Sequence, residues 1–232
     1  SDKVLSQYNE DEIRQLILKL SKRLRHRGPD WNGLYLDITK STTPDQLSTI
    51  VCLAHERLSI IDIDSGSQPL ISEDGNLVLS VNGEIYNYLD IRQETTSYNY
   101  QSKSDCESIL ALYSEWQHLY TMISNVGDTS TIELMMQNLD GIFSFVLYDK
   151  KLQSILIARD PIGVTPLYWG LSINNEIYVA SEMKALVDKC ITINLVPPGH
   201  YIHYTPQTRS LTPQLYYKPV WRQPHTVSNG FP

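Results

Sequence analysis

Three short stretches carry side chains that suit chemistry on an amino acid. In VNGEIYN (81–87), an amide, a glycine and a carboxylate follow one another. The Asn82 side-chain amide offers N–H donors. Gly83 lets its backbone N–H approach a ligand closely because no Cβ intervenes. Two such donors suit a developing oxyanion. Glu84 in this stretch and Asp105 in SDCE (104–107) are both anionic and suit a shared ammonium site. Arg57 in HERL (55–58) brings a planar fork that grips a carboxylate through two parallel hydrogen bonds. Each position also has a plainer reading. Asn-Gly is the commonest dipeptide of a type I′ hairpin turn. An arginine on a strand is often a surface ion-pair partner, and an aspartate near a helix start is favoured by the helix dipole.

The elements that position these residues follow from periodicity. Ile13, Leu16, Ile17, Leu20 and Leu24 recur at helical spacing, and Asn9 with Glu12 has capping-box spacing, so a helix is predicted over 10–25. Gly28-Pro29 stops it. The polar run ITKSTTPDQLST (38–49) reads as a loop, and IVCLAHERLSI as a strand. SGSQPL and SEDGN are turns around a short strand. LVLSV is a strand expected to end at Asn-Gly-Glu. SDCESILALYSEW reads as a helix with Ser104 and Glu107 at capping spacing, and the following stretch to Gly141 as irregular with a helix near its end. IFSFVLYD, SILIARD, PLYWG and IYVASE come in quick succession and predict antiparallel strands. A helix over 181–188 and late strands in GHYIHYTP and LYYKPVW complete the pattern. Strands with short connections and few helices give an α+β class.

Composition narrows the partners. Lys plus Arg number 19 and Asp plus Glu 26, so the formal charge is 19 − 26 = −7 over 232 residues. An acidic chain without a basic cluster argues against nucleic acid and anionic membranes, and no apolar run reaches membrane-span length. Cys52, Cys106 and Cys190 are odd in number and far apart, so reduced, structural thiols are expected in place of a disulfide framework or zinc ribbon. His200 and His203 lie three apart in a predicted strand and face opposite ways, and no metal site is expected. Residues 1–220 are expected to form a domain and 221–232 a tail or linker.

Six segments occur in one order: HRGPD (26–30), HERLSIID (55–62), NGEIYN (82–87), SDCE (104–107), RDPIG with PLY (159–168) and ASEMKAL (180–186). With them the chain resembles the glutamine-hydrolysing domain of the class II amidotransferases, which are N-terminal nucleophile hydrolases. The RLSI after His55-Glu56 makes it most similar, among these, to the glutamine-hydrolysing asparagine synthetases. The resemblance implies a four-layer α/β/β/α sandwich of two antiparallel sheets that hydrolyses L-glutamine to glutamate and ammonia. It implies that Arg57 holds the α-carboxylate beside a wall of Leu58, Ser59, Ile60 and Ile61. It implies that Glu84 and Asp105 hold the α-ammonium, and that Asn82 and Gly83 form the oxyanion hole. His26, Arg27 and Asp30 are expected to brace the site. Arg159 and Asp160 are expected to form a structural pair or to meet a second domain.

The resemblance also implies an N-terminal cysteine on a first core strand, with its α-amine as base. The chain opens SDKVLSQYNEDE, so that strand is expected to be missing from this sequence. Three explanations stay open: an upstream segment outside the sequence, a lineage that lost catalysis, or Ser1 as a substitute nucleophile. Cys52, Cys106 and Cys190 lack a free α-amine and are not expected to replace it. No Ser-Gly-Gly-x-Asp-Ser loop occurs, so ATP and Mg²⁺ are implied only for a following synthetase domain that makes asparagine from aspartate. The resemblance allows a homodimer and implies a cytoplasmic location.

Overall fold

Helix α1 (Glu10–Ser21) begins with the predicted capping box. The Asn9 side chain accepts the Asp11 N–H at 3.3 Å, and Glu12 accepts the Asn9 N–H at 3.3 Å. In this computed structural model, which describes residues 9–39, 49–57, 67–123 and 130–219, α1 does not continue to residue 25. It tightens into a 3-10 segment, Lys22–Arg27, before Gly28-Pro29. The basic side chains of that segment reach sideways to acidic partners described below.

Two strands follow, β1 (Trp31–Thr39) and β2 (Thr49–Arg57), paired antiparallel along their whole length. The expected loop over 38–49 is therefore strand at both ends, and residues 40–48 lie outside the described residues. β1 is a strand that periodicity missed. Asp37 breaks its apolar alternation, yet it is buried because it accepts from Tyr148 Oη at 3.1 Å and Lys150 Nζ at 2.6 Å.

β3 (Leu70–Ile71) and β4 (Leu77–Ile85) come next. β4 does not end at Asn82-Gly83-Glu84, nor is that stretch a hairpin turn. It stays in register with β5 (Gly141–Asp149), pairing Asn82 with Ser144, Gly83 with Phe143 and Glu84 with Ile142. Helices α2 (Tyr88–Glu94), α3 (Glu107–Ile123) and α4 (Ser130–Gln137) lie between the two strands. Periodicity gives no signal for α2, and the stretch before Gly141 holds the end of α3 as well as α4. The expected capping pair at the start of α3 is replaced by a different device. Glu107 turns back to accept the N–H groups of Gln101 at 2.6 Å and Ser102 at 2.7 Å.

β6 (Ser154–Arg159), β7 (Tyr168–Ser172) and β8 (Ile177–Ala180) match the predicted strands. The helix expected over 181–188 is only a 3-10 turn, Met183–Ala185, because Glu182 before it is extended. β9 (Cys190–Leu195) was not predicted; β10 (His200–Tyr204) and a short β11 (Gln214–Leu215) close the order.

Every strand pair is antiparallel. One sheet has the order β11-β10-β6-β5-β4-β3. Its period-2 alternation gives it two apolar faces. Leu79, Val81, Phe143, Phe145 and Leu147 pack against the helical layer of α3 and α4, in a core with Ile109, Leu110 and Met136. The opposite face carries a second layer of two separate pieces. Val51 and Leu53 of β2 pack on Val78 and Tyr148. Leu167, Trp169 and Val179 of the β8-β7-β9 piece pack with Ile157 and Ile202. Helix α1 covers β2 from outside. The architecture is an α/β/β/α sandwich whose second β-layer, among the described residues, is split between β2 and β8.

His203 sits in the helical-side layer, edge-on to the Trp116 ring at 6.1 Å between centroids. Burial pushes its pKa down to about 4. The unfolded imidazole keeps its usual value near 6.5, so between these values the unfolded state binds more protons. Stability should be whole above about pH 6.5 and fall as pH drops toward 4, with His203 accounting for up to about 3 kcal/mol. Urea unfolding of the wild type and His203→Leu at pH 7 and pH 4.5 checks this: the variant should lose less stability on acidification. Equal losses would contradict the assignment.

Candidate active site

The layers meet around one large cavity of about 810 Å³. Strand alternation decides which side chains reach it. On β4, Leu79, Val81 and Ile85 turn to the helices, so Ser80 and Asn82 turn to the second layer. On β2, Val51 and Leu53 face the six-stranded sheet, and His55 and Arg57 continue the same side of the strand. Asp105 comes from the turn before α3. Thus Arg57, Asn82, Gly83, Glu84 and Asp105 all line one cavity, although they come from three parts of the chain. Leu58, Ser59, Ile60 and Ile61 lie outside the described residues.

Asn82 Nδ2 is buried and finds no hydrogen-bond partner among the described residues. A buried amide donor without an acceptor costs about 1–3 kcal/mol, so such a group is uncommon unless a ligand completes it. Gly83 has φ +147°, and a Cβ there would lie 2.0 Å from Ile142 O. Its glycine is therefore required by the closeness of β5, in addition to any access it gives a ligand. Gly83 O accepts from Cys106 Sγ at 3.5 Å.

The negative side of the cavity is held in place. Asp105 Oδ2 accepts the Ile85 N–H at 2.7 Å, which ties the turn before α3 to the end of β4. Glu84 beside it is exposed at the cavity wall. The positive side is Arg57, which is 9% exposed. His55 is half-buried and contacts Ser80 Oγ at 3.2 Å, joining the two layers next to Asn82. Burial, and then the charge of Arg57, push its pKa down to about 4, so it stays neutral near pH 7. Periodicity gave no role to His55 or Ser80; only the stacking of β2 on β4 brings them together.

The expected braces act through backbone. A Cβ on Gly28 would lie 2.1 Å from Glu56 O, and the Asp30 N–H donates to Arg57 O at 3.1 Å. The Gly28–Asp30 corner therefore rests on the backbone that carries Arg57. Glu56 itself turns away and accepts from Ser21 Oγ at 2.7 Å and Asn32 Nδ2 at 2.6 Å. Arg159 and Asp160 spend their side chains on a loop. Arg159 donates to the carbonyls of Thr165, Val196 and Gly163, and Asp160 accepts the N–H groups of Ile162, Gly163 and Val164.

None of the three thiols is primed for attack. Burial raises Cys52 to about 11. Burial and the adjacent Asp105 raise Cys106 well above the usual thiol value, and burial raises Cys190. A raised pKa keeps a cysteine in its unreactive thiol form. Among the described residues no group of three His, Cys, Asp or Glu side chains could hold a metal, and no helix is long and apolar enough to cross a membrane. The cavity thus presents a buried cation, two carboxylates and an unpaired amide donor, a set that fits a zwitterionic amino acid with an acyl group at its far end.

A Dictyostelium discoideum protein named as a probable glutamine-hydrolysing asparagine synthetase is 42% identical over 213 residues, covering 90% of this chain and 33% of that protein. The Escherichia coli asparagine synthetase B is 43% identical over 192 residues, covering 82% of this chain and 30% of its own length. The chain therefore spans about a third of the length of these curated relatives. Among solved structures, the B. subtilis glutamine phosphoribosylpyrophosphate amidotransferase superposes with a TM-score of 0.62 at 20% identity, covering 88% of this chain and 47% of that one. That likeness supports the sandwich fold. The profile of the glutamine amidotransferase domain family matches residues 4–224, and the chain belongs to that family.

Proposed function

We propose that this chain is the glutaminase part of a glutamine-hydrolysing asparagine synthetase. The observation that carries the reading is the buried Nδ2 of Asn82, without a hydrogen-bond partner among the described residues, in the cavity that Arg57, Glu84 and Asp105 also line. The names of the relatives support it. L-Glutamine enters with its α-carboxylate on Arg57 and its α-ammonium between Glu84 and Asp105. The side-chain amide then lies toward Asn82 and Gly83. A thiolate attacks the amide carbon, and the carbonyl π electrons pass to oxygen. The Asn82 amide and the Gly83 N–H stabilise that oxyanion. The C–N bond breaks as nitrogen takes a proton from the α-ammonium of the nucleophile, and ammonia leaves. Water cleaves the thioester to give glutamate.

The nucleophile belongs, in this reading, to a strand that sits between β2 and β8. Both strands border the cavity and neither is paired on that side among the described residues. A strand there would complete the second sheet and bring a thiol over Asn82. Ammonia would pass to a β-aspartyl-adenylate site in a following domain. In this reading ATP and Mg²⁺ would serve that domain. The cytoplasm is the location that fits this activity, and a homodimer is compatible with it. The second reading is a glutamine-binding module without turnover, which the raised thiol pKa values favour for the chain taken alone.

The two readings separate in an assay of ammonia release. The 232-residue chain should show none, and a longer form beginning with Cys should hydrolyse glutamine. Silence in both would leave only the binding module. In the active form, Asn82→Ala should lower glutamine hydrolysis by about 10²–10³, as the loss of one oxyanion donor does. Asparagine formation from free ammonia should survive. Unchanged hydrolysis would remove Asn82 from the oxyanion hole. Arg57→Ala should chiefly raise the KM for glutamine, and an unaltered KM would make Arg57 a structural residue.

A further inference from the structure

The split second layer raises the question of what holds its two pieces at a fixed distance. On the β2 side, the 3-10 segment Lys22–Arg27 is almost wholly basic. On the β8 side, the chain leaves the strand through Glu182, Lys184 and Asp188. Arg23 reaches the Asp188 carboxylate and donates to Lys184 O at 2.9 Å. Glu182 is the hub: its Oε1 lies 2.9 Å from His26 Nε2 and 3.3 Å from Arg27 Nη1, and its Oε2 lies 3.0 Å from Lys184 Nζ. These contacts lie beside the cavity, whose lining includes Arg27 from one piece and Ser181 and Ala185 from the other.

The clasp also connects to the substrate arginine. Arg27 is followed directly by the corner that leans on the Glu56–Arg57 backbone. Gly28 has no room for a Cβ against Glu56 O, and Asp30 N donates to Arg57 O. A pull on Arg27 therefore moves a rigid corner pressed against β2. We propose that Glu182 is a positioning residue for the glutamine site: by holding His26 and Arg27 it fixes the Gly28–Asp30 corner, and through it the backbone of Arg57. The proposal rests on the reading of Arg57 as the carboxylate-holding residue. It adds an acidic side chain that lies outside the substrate contacts and touches no reacting atom.

Single exposed ion pairs contribute little, but one carboxylate shared by Arg27, Lys184 and the His26 ring forms a network. Amide hydrogen exchange and calorimetry on the 232-residue chain test the link. In Glu182→Gln, exchange of the Asp30 N–H should speed up about tenfold through local opening, with Phe145 and Leu147 in the central sheet unchanged. The Kd for L-glutamine should rise about three- to tenfold in step. Glu182→Asp should recover part of both effects. Lys151→Met, which removes an ion pair to Asp74 far from the clasp, should leave the Asp30 exchange rate at its wild-type value. Unchanged Asp30 exchange in Glu182→Gln would overturn the proposal, as would faster exchange with an unchanged Kd. If the wild-type chain binds no glutamine, the functional reading fails, and the Asp30 exchange rate still decides whether Glu182 holds the corner.

Discussion

The antiparallel ladder between β4 and β5 runs straight through Asn82-Gly83-Glu84, and much of the molecule depends on it. Because the ladder continues, side chains keep alternating. Asn82 is turned to the inter-sheet space while its neighbours Val81 and Ile85 anchor the helical core. Gly83 makes the continuation sterically feasible, since any Cβ would strike Ile142 O. The amide donor is thereby held by a strand paired with β5 along its whole length, where the backbone has little freedom. A site built on such an element is preorganised, which is what oxyanion stabilisation needs.

Against that fixed strand, the second layer contributes charge. β2 stacks on β4 through Val51, Leu53 and the His55–Ser80 contact, and this registers Arg57 over the same cavity as Asn82. The turn before α3 supplies Asp105, tied to β4 through the Ile85 N–H. Positive and negative groups thus come from different layers. A zwitterion bridging them would be recognised at both ends, and its side chain would run along β4. Among the described residues β2 and β8 border the cavity without pairing to each other, so the second layer is open between them.

Local signals were legible where short-range physics decides. The capping box at Asn9 and Glu12 formed as its spacing predicts, and the quick strands from Ile142 to Ala180 appeared with short connections. Legibility failed where tertiary contacts override local preference. Asn82-Gly83 has the composition of a hairpin turn, but pairing with β5 keeps it extended. β1 was hidden by Asp37, whose burial is offset by Tyr148 and Lys150 from distant sequence. Over 181–188 the helical pattern yields to an extended Glu182, which engages basic groups some 155 residues earlier. At the site, the residue types were readable in order along the chain. The unpartnered Asn82 amide and the His55–Ser80 contact were not, because both arise only when the layers stack.

The proposed glutaminase function requires the buried Asn82 amide donor of β4 to receive the side-chain carbonyl of L-glutamine. Nuclear magnetic resonance of the Asn82 side-chain amide during titration of the 232-residue chain with L-glutamine tests it most directly. A saturable downfield shift of the Asn82 Hδ2 resonance is expected, with the Gly83 amide moving in parallel and D-glutamine producing neither. A folded chain whose Asn82 and Gly83 resonances stay fixed at saturating L-glutamine would contradict it.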